Sequence, residues 1–277
     1  MQATKIQYAH FSSNPIRPFI KGRAKGWFCT KVNRGCKYCY SETMNRRLGN
    51  GLPYSKLNEK AIEFRINKKE IVSLLAVKPG KVVFVCDMTD LFHELITDEQ
   101  IDEVLMTCAS NPEAIFLVLT KRPRRMASFV ASKAASFDNI WFGVSACDTE
   151  TLEKAAAELT PRPINTWLSL EPFVKDIKGT VLIDALGFGG FRVFDWVVVG
   201  GESGRSKNIA MCIPAWMQGV VGDCKSQNVP VFVKQMGSAW AKFRRVHVTD
   251  SKGGDFNHWP QDIRVQQTPI KWGEVRL

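Results

Sequence analysis

The chain has 277 residues, 45% of them hydrophobic, which supplies the core of one large α/β domain or two small ones and excludes a disordered polymer. No apolar run approaches the roughly 18 residues of a membrane span, and the N-terminus carries no signal-type apolar stretch, so a cytoplasmic protein without a membrane partner is expected. The net charge of +11 is concentrated at one end, because residues 1–69 hold 15 Lys and Arg against 3 acids while the remainder holds 23 basic and 24 acidic residues.

Residues 1–26 form a basic extension. Arg17, Lys21, Arg23 and Lys25 are spaced to track a nucleic-acid backbone, with Phe19, Trp27 and Phe28 interleaved as stacking or core residues. A local positive field of this kind attracts polyanions, and nucleic acid is the expected partner; a merely solvated basic surface is the alternative. Then comes "FCTKVNRGCKYCYSE" (28–42), with Cys29, Cys36 and Cys39. In a reducing compartment a tight cysteine cluster is a metal or redox site rather than a disulfide framework. Cys108, Cys147, Cys212 and Cys224 are scattered and read as buried thiols.

From residue 80 strands and helices alternate. "KVVFVCD" (81–87), "AIFLVLT" (114–120), "NIWFGVS" (139–145), "INTWLSL" (164–170), "DWVVVGG" (195–201) and "VPVFVKQ" (229–235) read as buried strands. Helices lie between several of them, one with Thr97 and Gln100 placed as a capping box and one with Pro214 in its first turn. With a further strand before Cys29, the pattern predicts a partial or full (β/α) barrel of six to seven parallel strands over 27–237. A doubly wound open sheet is the runner-up. Residues 238–277 read as an irregular C-terminal cap.

Polar residues follow strand after strand: Asp87 and Asp90 with His93 and Glu94, then Lys121 and Arg122, then Ser145, Glu171, "GGESG" with Gly200, Gly201 and Glu202, and finally Lys234 and Gln235. The C-terminal edge of a parallel sheet is where ligands bind. Each residue alone equally suits a turn or a helix cap. "GGESG" is a cradle or a tight turn, and no Gly-Lys-Ser/Thr follows to make it a phosphate loop.

Three cysteines leave three readings open. Structural zinc needs a fourth ligand from afar, such as His10 or Cys86. An electron-transfer cluster lacks its local fourth Cys. A cubane held through three irons keeps its fourth iron open for a substrate or cofactor.

The loop resembles that of radical S-adenosylmethionine (SAM) enzymes, whose usual spacing is C-x3-C-x2-C with an aromatic before the last cysteine. Tyr38 fills the aromatic place, although the first gap here holds six residues. Over residues 27 to 268, "CTKVNRGCKYCYSETM", "DLFHE", "LTKRPRRM", "WFGVS", "SLEP", "DWVVVGGESG", "VFVKQMG" and "HWPQDIRV" resemble a phage- and mobile-element-associated three-cysteine-motif family, radical-SAM-like and without a firmly assigned reaction. The chain departs from it in its basic N-terminus and at Cys86-Asp87. The resemblance implies a barrel of radical SAM type with a 4Fe–4S cluster on Cys29, Cys36 and Cys39, and SAM chelating the fourth iron. Reductive cleavage of SAM would then yield methionine and a 5′-deoxyadenosyl radical. It further implies SAM contacts from Gly200, Gly201 and Glu202, packing of Tyr38 beside cluster or adenine, and ribose or methionyl-amine contacts from Ser145 and Glu171. Asp87, Asp90, Lys121 and Arg122, with Lys234 and Gln235, are the candidates for the substrate, and Cys86 for returning a hydrogen atom. Two other readings compete. One is a non-catalytic DNA- or RNA-binding module stapled by Fe–S or zinc. The other is a Mg²⁺ nuclease built on Asp87, Asp90 and Glu171, which leaves the cysteines unexplained.

Overall fold

A computed structural model describes residues 1–187, 192–204, 208–269 and 272. The chain divides into two compact units. The first holds residues 1–143, 160–165 and 272, and the second holds 144–159 with the described part of 166–269.

In the first unit, β1 (Gln2–Ala3) pairs antiparallel with β2 (Phe11–Ser13). β3 (Ile16–Ile20) and β4 (Arg23–Ala24) form a hairpin. Its loop is Lys21-Gly22, with φ of 50° and 75°, and two consecutive left-handed residues are what a type I′ turn requires. Helix α1 (Tyr40–Leu48) follows the cysteines. β5 (Glu63–Ile66) adds to β3, giving a small antiparallel sheet in the order β4-β3-β5. After α2 (Lys68–Leu75) come β6 (Val82–Val85), α3 (Asp98–Ala109), β7 (Ile115–Thr120), α4 (Pro123–Ala131) and β8 (Ile140–Ala146). The main sheet of this unit runs β1-β2-β6-β7-β8, with β2·β6 and β6·β7 parallel.

β8 passes into the second unit at Gly143–Val144. There α5 (Thr149–Glu158), β9 (Thr166–Leu170), α6 (Val181–Leu186), β10 (Trp196–Gly200), α7 (Pro214–Ser226), β11 (Val231–Gln235) and α8 (Ser238–Phe243) follow. Its strands run β8-β9-β10-β11, with β9·β10 and β10·β11 parallel. Every residue of β6, β8, β9 and β10 is buried, the signature of strands covered on both faces.

The architecture is therefore mixed α/β with mostly parallel strands. All six apolar runs form strands, the expected capping box closes α3 through Thr97 and Gln100, and Pro214 opens α7. One expectation is corrected. The strands nearest before Cys29, β3 and β4, belong to the small antiparallel sheet, and the N-terminal parallel strand is β2. The basic segment 1–26 is thus built into both sheets of its unit. The C-terminal segment has α8, short 3-10 turns at Phe256–His258 and Gln261–Ile263, and a bridge from Gln266 to Phe232. Its last stretch, 270–271 and 273–277, lies outside the described residues.

Candidate functional site

The cysteine loop leaves the small sheet at Gly26 and ends at α1. Asn45 of α1, fully buried, closes it: Oδ1 accepts the Trp27 N–H at 3.0 Å and the Asn50 N–H at 3.2 Å, while Nδ2 donates to Asn50 Oδ1 and the Leu52 carbonyl. A β-carbon on Gly26 would stand 2.4 Å from Asn45 Oδ1 and one on Gly49 only 2.1 Å, so both positions exclude a side chain. Between these ties each sulfur meets an N–H donor. Arg122 Nη1 points at Cys29 Sγ (3.7 Å), the Val32 amide at Cys36 Sγ (3.5 Å) and the Glu42 amide at Cys39 Sγ (3.4 Å). Cys39 feels the charge of Cys36, and Cys29 that of Cys39, so the three thiols form one electrostatic neighbourhood. Burial pushes Cys29 up to about 12, with Asp90 adding to the rise and Arg122 opposing it; burial likewise raises Cys39, against the Glu42 amide and Lys121.

Arg122 lies at the end of β7 and is 7% exposed. Its guanidinium is fully engaged: Nε bonds both Glu94 oxygens at 2.9 Å, Nη1 bonds Asp90 Oδ2 at 3.0 Å, and Nη2 bonds Thr30 Oγ1 at 2.9 Å. Burial works against this charge, but Asp90 and Glu94 hold the guanidinium firmly protonated. Asp90 also accepts from Thr120 Oγ1 (2.7 Å) and from the Phe92 and Lys121 amides. His93, fully buried, sits behind Thr30. Its Nδ1 accepts the Leu95 N–H at 3.1 Å, which leaves the proton on Nε2, 3.0 Å from Thr30 Oγ1. Burial, then the neighbouring Arg122, lowers its pKa to about 4, so the ring is neutral at pH 7.

Asp87 lies just past the end of β6. Asn14 Nδ2 donates to its Oδ1 at 2.6 Å, and the Tyr40 hydroxyl donates to its carbonyl at 2.5 Å. Burial raises the Asp87 pKa against these hydrogen bonds. Cys86 is buried at the end of β6 with φ 58°, a left-handed conformation uncommon for a residue with a side chain, and burial raises its thiol strongly. Lys121 is half-buried within electrostatic reach of Cys39, and the Lys37 ammonium lies 5.8 Å over the Tyr38 ring.

The remaining candidates meet in the second unit, at its strand ends. Lys234 Nζ pairs with Glu171 Oε1 at 2.8 Å, while Ser145 Oγ and Ser169 Oγ donate to the Glu171 carbonyl and carboxylate, each at 3.4 Å. A β-carbon on Gly200 would lie 2.9 Å from Glu171 Oε1, and one on Gly201 would collide with the Met236 carbonyl at 2.2 Å. Gln235 Nε2 holds the Gly201 carbonyl at 2.9 Å. Glu202 Oε2 accepts the Ala210 amide at 2.9 Å, so this carboxylate is built into its own loop.

Sequence reasoning passed over Asn14, Thr30 and Asn45. The signal available for Asn45 was its i,i+4 spacing to Gly49 and i,i+5 to Asn50, which marks a helix end folding back on itself. Among the described residues no three or more His, Cys, Asp or Glu side chains are placed to hold a metal ion, and all eight cysteines are free. No described helix is long and apolar enough to cross a membrane.

With this geometry in hand, comparison with known proteins gives a mixed α/β chain a family. The model described as "Protein of unknown function (DUF5131)" matches residues 3–260, and the chain belongs to that family. No curated protein and no solved structure matches it.

Proposed function

We propose that this is a radical-SAM-like iron–sulfur enzyme acting on an anionic substrate, with nucleic acid as the substrate class and the (β/α) barrel of radical SAM type as the fold. The observation that carries the reading is the donor set around the sulfurs. Cys29, Cys36 and Cys39 share one neighbourhood, and each sulfur is met by an N–H. Hydrogen bonds to sulfur oppose the burial that keeps Cys29 and Cys39 protonated and would tune a bound cluster, which supports a cluster held by three cysteines once the sulfurs close in on it. When bound, such a cluster supplies the electron for reductive cleavage of SAM.

The chain's own residues do the rest. Arg122 fixes Cys29 and Thr30 against the ends of two strand–helix connections. Neutral His93 holds Thr30 from behind without bringing a second charge. Asp87, steadied by Asn14 and Tyr40, and Lys121 are the polar groups left at this edge for a substrate. In the second unit Glu171 and Lys234 pair with each other beside Gly200 and Gly201, and these are the rim groups by which that unit would contact a small polar ligand.

The test is anaerobic reconstitution with iron and sulfide, then dithionite and SAM, with 5′-deoxyadenosine read by mass spectrometry. Product that disappears in Cys36→Ala is the expected result. An assembled cluster that never cleaves SAM, with or without oligonucleotide, would sink the enzyme reading in favour of a stapled binding module.

A further inference from the structure

The small antiparallel sheet has an outer face that the chemistry of the cysteine loop does not use. Ile16, Pro18 and Phe64 point inward and are buried. By strand alternation the opposite face carries Arg17 and Phe19 from β3 and Glu63 and Arg65 from β5. Register places Arg17 directly across from Arg65 and Phe19 across from Glu63. Like charges facing each other across a ladder destabilise it. Here both guanidiniums lie over rings instead, Arg17 at 5.2 Å from the Trp27 centroid and Arg65 at 4.6 Å from that of Phe19. The hairpin tip beside them exposes Lys21, Arg23 and Lys25. No Asp or Glu occurs before Glu42, and Glu63, bidentate to Arg65 at 2.7 and 2.9 Å, is the one acid on this face. Glu70, which reaches Arg17 electrostatically, is already held by the Met1 amine and Ser13, each at 2.6 Å. The Trp27 indole N–H is buried and has no acceptor among the described residues.

We propose that the outer face of β3 and β5, with the tip of the β3–β4 hairpin, is a docking surface for single-stranded nucleic acid. This rests on the reading that the substrate is a nucleic acid, and names the form and the place. Guanidinium planes and rings alternate there as platforms on which unpaired bases stack, and the lysines and arginines at the tip follow phosphates. A duplex offers its bases already stacked on each other and would use the charge alone.

The test is fluorescence anisotropy of a labelled single strand of about fifteen nucleotides, oligo-dT or oligo-rU, over about 50 to 200 mM salt. Three variants read separate parts of the surface. Arg65→Ala is expected to weaken binding and to lower the salt slope by about 0.7. Phe19→Ala is expected to weaken binding about tenfold at an unchanged slope. Glu63→Gln frees Arg65 and is expected to tighten binding, an effect that no loss of folding could produce. Binding indifferent to all three, equal binding of a duplex or of inorganic polyphosphate, or no binding at low salt overturns the proposal. None of these measurements needs iron or SAM, so a chain that binds the strand but cleaves no SAM fails as an enzyme and not as a binder.

Discussion

Arg122 and Cys29, separated by 93 residues of sequence, meet with guanidinium Nη1 at 3.7 Å from the sulfur. The same guanidinium neutralises Asp90, whose side chain is 10% exposed. Arg122 therefore couples the cysteine loop to the ends of β6 and β7.

Removing that side chain strands Asp90 in a buried site. Breaking one partner of a buried ion pair costs roughly 3–5 kcal/mol, and Arg122→Ala is expected to lose that much in denaturant unfolding. Arg122→Lys keeps a charge but cannot reach Asp90, Glu94 and Thr30 together, so it should fall between the two. An Arg122→Ala chain as stable as the parent would mean that the network does not hold the loop.

His93 sets an acid limit. Its pKa falls from 6.5 in the unfolded chain to about 4 in the folded one, because burial and Arg122 outweigh Glu94 and Asp90, while Glu59 lies 3.9 Å away and Arg125 adds to the lowering. Between those pH values the unfolded chain binds the extra proton. Stability is thus unaffected by His93 above about pH 6.5 and declines as pH falls toward 4, by up to roughly 3 kcal/mol. Unfolding curves from pH 8 to 4 should show this decline, and His93→Gln should flatten it.

Asn45→Ala leaves the Trp27 and Asn50 amides without their acceptor. Each unsatisfied buried donor costs roughly 1–3 kcal/mol, so a loss above roughly 2 kcal/mol is expected in thermal or denaturant melts. Asn45→Asp keeps the accepting oxygen but sets a buried carboxylate oxygen against Asn50 Oδ1 and the Leu52 carbonyl, so it should lose stability as well.

In the second unit, Lys234→Met should destabilise the chain by removing the ammonium beside the partly buried Glu171 carboxylate, and adding Glu171→Gln should recover most of the loss. A coupling of roughly 0.5–3 kcal/mol in the double-mutant cycle is expected. Additive losses would show that the 2.8 Å contact carries no net energy.

The parallel strands were legible because runs such as "VVFV" and "WVVVG" are apolar throughout, and only burial on both faces asks for that. β2 was not, since "FSS" is three residues long and pairs with β6 through its backbone. β5 reads "EFRI", a half-exposed alternation too short to separate from loop. The rim residues were legible as polar positions after strands, but not their direction: Arg122 reads the same whether it faces a ligand or, as here, Asp90 and Glu94. Contacts such as Asn14 to Asp87, 73 residues apart, leave no local trace.

The closure of the cysteine loop by the Asn45 amide has a consequence for assembly. The turn that presents the three sulfurs is shut by protein alone, so the entropy of bringing its ends together is already spent before any ligand arrives. A ligand of the thiols would meet a loop whose ends are already tied, with only the sulfurs left to close on it. The scaffold should therefore stand with nothing on the thiols, and a ligand added to it would bind rather than fold the loop.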